Sequence, residues 1–276
     1  MKLSIVIPAF NEEHRLGRML DAYLPWFEQR YGADVEFLVV VNGSTDATET
    51  VARAREGRWP SLRVLVEPRA IGKGGAILKG MTAARGELVG FVDADGATPP
   101  EAFEDLVRRI DDAGIIIANR WDPASRIAPQ PWRRRVASRA FNALVRTLFR
   151  LPIRDTQCGA KVMRREAMQI VQPHLGLTRW AFDVDLLFHL RRAGYAIRQA
   201  PTVWHDEQGS RLRVVRASLE MFVAIVRLRL LYSPFRWVVT AYDWTLGPLL
   251  HRESRRGQPA TAHAVGKSRH WSGRAE

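Results

Sequence analysis

The sequence predicts an α/β fold, a Rossmann-like parallel sheet with helices on both faces, followed by an amphipathic helical segment. Three observations point there. The first 120 residues alternate short β-branched runs with longer stretches of helical period. The stretches between the runs are long enough for right-handed helical crossovers, which leave neighbouring strands parallel. Each apolar run ends in polar residues, and such sheets bind ligands outside the carboxyl ends of their strands.

The runs "LSIVIP" (3–8), "VEFLVVV" (35–41), "LRVLVE" (62–67), "ELVGFVD" (87–93) and "GIIIAN" (114–119) read as buried strands. Helical patterns fill roughly 12–31, 46–57, 73–85 and 100–112. Asn11, Asn42, Asp93, Asp95 and Arg120 then fall on the ligand-binding edge. Past residue 120 the rhythm changes. "WDPASRIAPQPW" reads as a loop, 132–150 as a helix, and "RDTQCGAKVM" opens a second α/β-like stretch reaching about 205. An apolar, arginine-studded segment follows at 215–250. The expected organisation is an α/β domain at 1–212, an amphipathic, membrane-peripheral helical segment at 213–250, and a basic disordered tail at 251–276. There is no internal repeat.

Composition narrows the classes. With 276 residues, 46% of them hydrophobic and 26% charged, the chain can bury one sizeable core. Its one cysteine, Cys158, excludes an intramolecular disulfide and a cysteine-based zinc site and fits a reducing compartment. The N-terminal apolar run breaks at Pro8 and meets acids directly, unlike a signal peptide. No uncharged apolar stretch approaches about 18 residues, so no membrane-spanning helix is expected. The expected location is cytoplasmic, peripheral on the cytoplasmic face of a membrane.

The net charge of +13 is unevenly placed. Residues 126–154, 209–240 and 251–276 hold 20 of the 42 basic and 3 of the 29 acidic residues. The remainder is slightly acidic. Positive charge therefore belongs to particular surfaces, which suit an anionic partner. No nucleic-acid motif accompanies it, so no nucleic-acid partner is expected.

The stretch "LVGFVDADGATPP" (88–100) ends an apolar strand with two carboxylates. Asp93 and Asp95 suit Mg2+ or Mn2+, hard cations that take one or two carboxylates and complete their shell with water and substrate phosphate. The alternative is structural: Asp93 caps the strand and Asp95 starts a turn. "PRAIGKGGAILKG" (68–80) opens a helix with three glycines around Lys73, which reads either as a phosphate-approaching turn or as a tight strand-to-helix connection. In "NGSTDAT" (42–48), Asp46 is placed to cap a helix and Asn42 lies just outside the strand.

These blocks carry a resemblance. "SIVIPAFNEE", "VVVNGSTDAT", "IGKGGAILKGMTAARGELVGFVDADG", "DTQCGAKVMRREA", "RWAFDVDLL" and "WHDEQGSRL" occur in the order found in family-two inverting glycosyltransferases with the GT-A fold. Over about residues 3–230 the chain most resembles the dolichyl- or polyprenyl-phosphate hexosyltransferases, especially the glucosyl branch. The resemblance implies transfer of a hexose from a nucleotide-diphosphate sugar, UDP-glucose before GDP-mannose, to a polyprenyl or dolichyl phosphate. It implies that Pro8, Phe10 and Glu12 line the nucleoside pocket, with Asn42 against the base and Lys73 nearby. Asp93, Ala94 and Asp95 become the metal and diphosphate site. Arg120 matches the arginine near the donor and acceptor phosphates, and Asp155, Asp183 and Asp185 face the site. The chain departs from the family at Val41-Asn42, where Asp-Asp or Asp-Asn is usual, at Phe10, where Tyr is frequent, and at Asp185 and Asp206, where Glu is frequent.

A lipid phosphate fits the charge geometry. On a helix of about 100° per residue, Arg135, Arg139, Arg146 and Arg150 share an arc of roughly 60° opposite Ala137, Phe141, Leu144 and Leu148. Such a helix either packs on the core with a solvated basic face or lies on an anionic bilayer, where each arginine contributes on the order of 1 kcal/mol. The segment 218–244 is apolar on most sides, with Arg216, Glu220 and Arg227 in one polar stripe, and needs a core, a second subunit or lipid to cover it. A homodimer is the alternative to lipid there. A phosphate acceptor is already anionic and needs cations, for which Arg120, Arg133–Arg135 and the metal are the candidates; a hydroxyl acceptor needs Asp183 or Asp155 as base. A transferase acting on a soluble or glycan hydroxyl, or a non-catalytic nucleotide-sugar-binding membrane adaptor, are the other readings. Trp180 and Trp204 read as packing or sugar-stacking residues, Cys158 as a buried small residue, and His205 as a side chain within reach of a metal.

Overall fold

The expected strands form with ends trimmed or extended by a residue or two: β1 (Leu3–Ala9), β2 (Val35–Asn42), β3 (Leu62–Glu67), β4 (Leu88–Phe91) and β5 (Ile115–Ala118). Between them lie α1 (Leu16–Tyr31), α2 (Thr48–Glu56), α3 (Gly72–Ala83) and α4 (Pro100–Arg109). Then come β6 (Arg126–Ile127), α5 (Trp132–Phe149), β7 (Lys161–Arg164), α6 (Arg165–Val171) and α7 (Phe182–Arg192). β8 (Ile197–Ala200), β9 (Val203–Trp204) and α8 (Val214–Leu231) are the last elements among the described residues. The computed structural model describes residues 1–129, 132–176, 181–205, 214–235 and 237. Trp180, Asp206, the tail at 251–276 and the side chains of Arg133, Arg134, Arg216 and Glu220 lie outside the described residues.

Seven strands form one sheet in the order β3-β2-β1-β4-β7-β5-β8, and β6 pairs with β9 in a small second sheet. Every pair in the large sheet is parallel except the two that β7 makes, with β4 and with β5. The parallel sheet expected from the first 120 residues forms, and β7 adds an antiparallel strand to it. The cause is the route of the chain: after β5 it leaves through β6 and α5 and re-enters the sheet from the carboxyl edge. The residues that open β7 therefore lie at the same edge as the ends of β4 and β5.

Strand alternation supplies a core on each face. Leu3, Ile5 and Ile7 of β1 with Phe37, Val39 and Val41 of β2 pack beneath α1 and α4. Val6, Leu38 and Val40 pack on the other face with Ala76 and Ile77 of α3, Phe182 and Leu186 of α7, and Ile225 and Leu228 of α8. α8 also lies on α5, where Arg229 Nε donates to the Leu148 carbonyl at 2.9 Å. Phe222 and Val223 of α8, and Trp132 and Val136 of α5, stay exposed. Among the described residues no helix is long and apolar enough to cross a membrane.

Candidate active site

Two loops at the carboxyl edge brace one another. Asn11 takes a left-handed φ of 54°, a conformation that asparagine tolerates better than most side chains. Its Oδ1 accepts from the Thr45 amide at 2.9 Å, and its own amide donates to Ser44 Oγ at 3.1 Å. The Glu12 amide donates to Thr48 Oγ1 at 2.7 Å, and Asp46 accepts from the Thr48 and Glu13 amides. Asp46 thus forms an Asx turn onto Thr48, the first residue of α2, while the N-cap position itself falls to Ala47 and not to Asp46 as expected. Pro8 is half-buried at the end of β1, beyond the last β4 pairing, where its missing N–H breaks no ladder with that strand. Phe10 is exposed, and Glu12 is held by Arg15 at 2.7 and 2.8 Å. Asn42 is buried, and its Oδ1 accepts from the Ile71 amide at 2.8 Å, tying the end of β2 to the loop before Lys73.

The glycines around Lys73 have separate jobs. Gly72 takes φ 81° at the start of α3. Gly74 lies so close to Phe182 that a Cβ there would run into its ring, so this glycine lets α7 approach α3. Lys73 Nζ consequently reaches Asp93 Oδ1 at 2.5 Å, with the two side chains 26% and 38% exposed. Burial works against the Lys73 charge, yet Asp93 and Asp183 beside it hold its proton more tightly than in a free lysine.

Asp93 and Asp95 follow the end of β4. Burial pushes the Asp93 carboxyl up, but Lys73, with Lys161 and Arg120 behind it, outweighs burial and holds it below the usual range. Asp95 is raised, first by burial and then by the Asp93 charge. Its Oδ1 accepts from the Ala97 amide at 3.0 Å, so the turn role does hold for one oxygen. Among the described residues no basic group forms an ion pair with Asp95. Beneath Asp93, a Cβ on Gly159 would overlap the carboxylate, so this glycine keeps a cradle open. Two hard oxygen donors, one of them raised by its neighbour's charge and lacking a cationic partner, fit a divalent cation. Ala94 is buried between them, and the His205 amide donates to the Ala97 carbonyl at 2.8 Å, placing β9 beside this turn.

The later blocks bring further charges to the same edge. Asp155 is fully buried, and Arg120 donates to it three times, from its amide at 3.0 Å, Nε at 2.7 Å and Nη2 at 2.9 Å. Asp183, on the first turn of α7, takes the Lys161 ammonium on Oδ1 at 2.5 Å. Asp185, two positions further on, faces away toward the Gly176 amide, which donates to it at 2.9 Å, and His189 at 3.3 Å. Cys158 is buried, and burial pushes its thiol up to about 11, so it stays protonated near neutrality. Trp204 lies under the Arg120 guanidinium at 5.6 Å.

Arg120 also lines a cavity of about 300 Å³. Trp121, Ile127, Pro129, Arg135 and Arg139 share its wall. The Arg139 guanidinium stands 5.1 Å over the Trp121 ring, whose buried indole N–H has no hydrogen-bond partner among the described residues. Lys161, Gly159, Trp121 and Arg139 as a site residue escape a motif-based reading. Only Lys161 leaves a trace, a lysine set in the apolar run "GAKVM".

A seven-stranded, mostly parallel sheet with an acid pair at a central strand end is the GT-A architecture of nucleotide-sugar transferases. The crystal structure of glucosyl-3-phosphoglycerate synthase from Mycobacterium tuberculosis, in complex with Mn2+, UDP and glucosyl-3-phosphoglycerate, shares the fold. The match has a TM-score of 0.62 at 22% identity and covers 83% of this chain and 79% of that one. In sequence, the profile described as glycosyl transferase family 2 matches residues 4–171. The dolichyl-phosphate beta-glucosyltransferase of Dictyostelium discoideum is 32% identical over 250 residues, covering 86% of this chain and 76% of its own length. The human protein of that name is 34% identical over 250 residues, covering 86% and 77%. The chain belongs to glycosyl transferase family 2 and is a glycosyltransferase.

Proposed function

We propose that this enzyme transfers glucose, with inversion, from UDP-glucose to the phosphate of a dolichyl or other polyprenyl phosphate. The relatives' names support donor sugar and acceptor class alike. The observation that carries the reading is the position of Arg120, which belongs both to the Asp93 cluster and to the cavity bearing Arg135 and Arg139. A donor diphosphate on one side and an acceptor phosphate on the other would meet across this guanidinium.

Asp93 and Asp95 would hold Mg2+ or Mn2+, whose charge offsets that building on the departing nucleotide. Pro8, Phe10, Glu12 and Asn42 line the edge where the nucleoside would lie, and Lys73 adds a cation to the diphosphate side. Arg120 keeps its orientation because Asp155 grips it twice, so its remaining N–H groups stay aimed without reorganisation. Asp155 is bound on both oxygens by Arg120, and Asp183 carries the Lys161 ammonium on one, so neither is an unengaged carboxylate. That suits an acceptor that arrives ionised, as a monophosphate does near neutral pH, and disfavours a hydroxyl acceptor.

The lipid chain has a surface to follow. Trp132 and Val136 on α5, and Phe222 and Val223 on α8, form exposed apolar ground beside the exposed Arg135, Arg139 and Arg146. We assign this face, with the segment 213–250, to peripheral contact with an anionic bilayer. The test is incubation with polyprenyl phosphate and a panel of radiolabelled UDP- and GDP-sugars, followed by organic extraction. Label from UDP-glucose in the organic phase is the expected result. Label only in water-soluble glycan, or none with any lipid acceptor, overturns the assignment.

A further inference from the structure

Lys161 is the most unusual charge in the molecule. Its side chain is fully buried inside a seven-stranded sheet, in register with Phe91 of β4 and Ile117 of β5. An ammonium in such a place costs several kcal/mol unless it is paired. Three groups receive it: Asp183 Oδ1 at 2.5 Å, the Cys158 carbonyl at 2.6 Å, and the Phe91 ring at 5.2 Å. Packing alone does not require this arrangement. Two residues on in β7, Met163 fills the same layer with an apolar side chain, and buried ion pairs are often replaced by apolar ones without loss of stability.

Its partner explains the placement. Asp183 stands on the first turn of α7, which Gly74 admits against the N-terminus of α3. That contact sets Asp183 beside Lys73, whose ammonium grips Asp93. Lys161 occupies Oδ1 of Asp183, whereas Oδ2 takes no hydrogen bond among the described residues. A carboxylate free to rotate beside Lys73 could swing onto it and compete with Asp93. One pinned from behind by a second lysine cannot.

We propose that Lys161 is a positioning residue for sugar transfer, acting through Asp183: it pins one oxygen of that carboxylate and so fixes the side chain beside the Lys73–Asp93 pair. The inference rests on the site assigned above and deepens it. Lys161 forms no ion pair with Asp93 or Asp95 and does not line the cavity, but its charge also reaches Asp93 through space. The double variant separates the two routes, because a direct route adds a further loss once Asp183 is neutral.

The test is a double-mutant cycle of Lys161→Met and Asp183→Asn. Transfer from UDP-glucose with Mn2+ is measured with polyprenyl phosphate and, in parallel, with water as acceptor, alongside thermal melting. Lys161→Met is expected to lower kcat roughly 10- to 100-fold, the range typical of outer-shell partners, while the donor KM moves less than about threefold. Asp183→Asn should give a similar loss, and the double variant no more than the worse single. Should Lys161→Met alone fail to fold, because an unpaired Asp183 is left inside, the double variant removes both charges and is compared with Asp183→Asn directly. Equal kcat supports the proposal. A further loss of about tenfold in the double variant, or wild-type kcat in Lys161→Met, overturns it. Wild-type hydrolysis without any lipid product counts against the polyprenyl acceptor only, and the cycle is then read from hydrolysis.

Discussion

At the carboxyl ends of β1, β2 and β4 the acids sit on short stems and are partly buried, with Asp93 held by Lys73. On the outer side of α5 the charges are arginines on long stems, exposed, with apolar neighbours equally exposed. The first region has loops braced by hydrogen bonds and close like charges, which suit a small ligand of fixed geometry such as a diphosphate with its cation. The second offers area, positive charge and adaptable stems, which suit a phosphate carried by a fluid surface. Arg120 joins them, and its buried Asp155 makes it behave like the first region although it faces the second.

Variants can break that contrast. The largest effect is expected from Asp93→Ala, which should reduce transfer by about three orders of magnitude with either metal and shift the melting midpoint little, since the side chain is partly exposed. Substantial turnover in this variant would place the chemistry elsewhere. Next comes Arg120→Met, expected to cost roughly 100-fold in kcat/KM. It also leaves Asp155 buried and unpaired at a cost of about 3 kcal/mol, or roughly 5–10 °C in the melting midpoint. Adding Asp155→Asn should recover much of the midpoint and none of the activity. Recovery of both would reduce Arg120 to a structural role.

Smaller effects sharpen the comparison. Arg135→Gln with Arg139→Gln should raise the lipid-acceptor KM about tenfold, leave the UDP-glucose KM unchanged, and weaken sedimentation with anionic vesicles, most visibly at low salt. Equal shifts in both KM values would mean that the two regions are not separate. The smallest effect concerns the sheet beneath the donor side. Burial pushes the Glu36 carboxyl up, but the Ser4 hydroxyl at 2.7 Å, the Arg85 amide at 2.6 Å and the Arg85 guanidinium hold it below the ordinary value of 4.5. A carboxyl lowered by folding stabilises above its unfolded pKa and loses that contribution as pH falls through the folded one. Melting curves from pH 7 down to about 3 should therefore fall less steeply for Glu36→Gln than for wild type, from a lower start. A parallel pair of curves would remove Glu36 from the account.

Much of the first region was legible in the chain. Asn42 and Asp93 each close an apolar run, with Asp95 two residues on, so their place at the strand ends needs only local periodicity and the crossover rule, whereas Lys73 was legible from the glycines that open α3. The arginine face of α5 was legible for the same reason, since helical period alone sorts Arg135, Arg139 and Arg146 from Leu144 and Leu148. The end of the "GIIIAN" run also placed Arg120 at that edge, and resemblance added its role and Asp155 and Asp183 as site residues, but not their partners. The Arg120–Asp155 and Lys161–Asp183 pairs span 35 and 22 residues, and no local pattern relates their members. Gly74 read equally well as a phosphate-loop glycine, and only the nearby Phe182 ring shows which steric demand it meets.

The sequence by itself determined the alternation of strands and helices, the edge on which polar residues gather, and the separation of acidic and arginine-rich regions. These follow from backbone periods of two and 3.6 residues, which act over a few positions. Only the tertiary structure decided that β7 enters antiparallel, that its first lysine meets Asp183, and that Arg120 serves two regions at once. Those outcomes depend on where a long excursion through α5 returns to the sheet, and no period in the chain encodes that return.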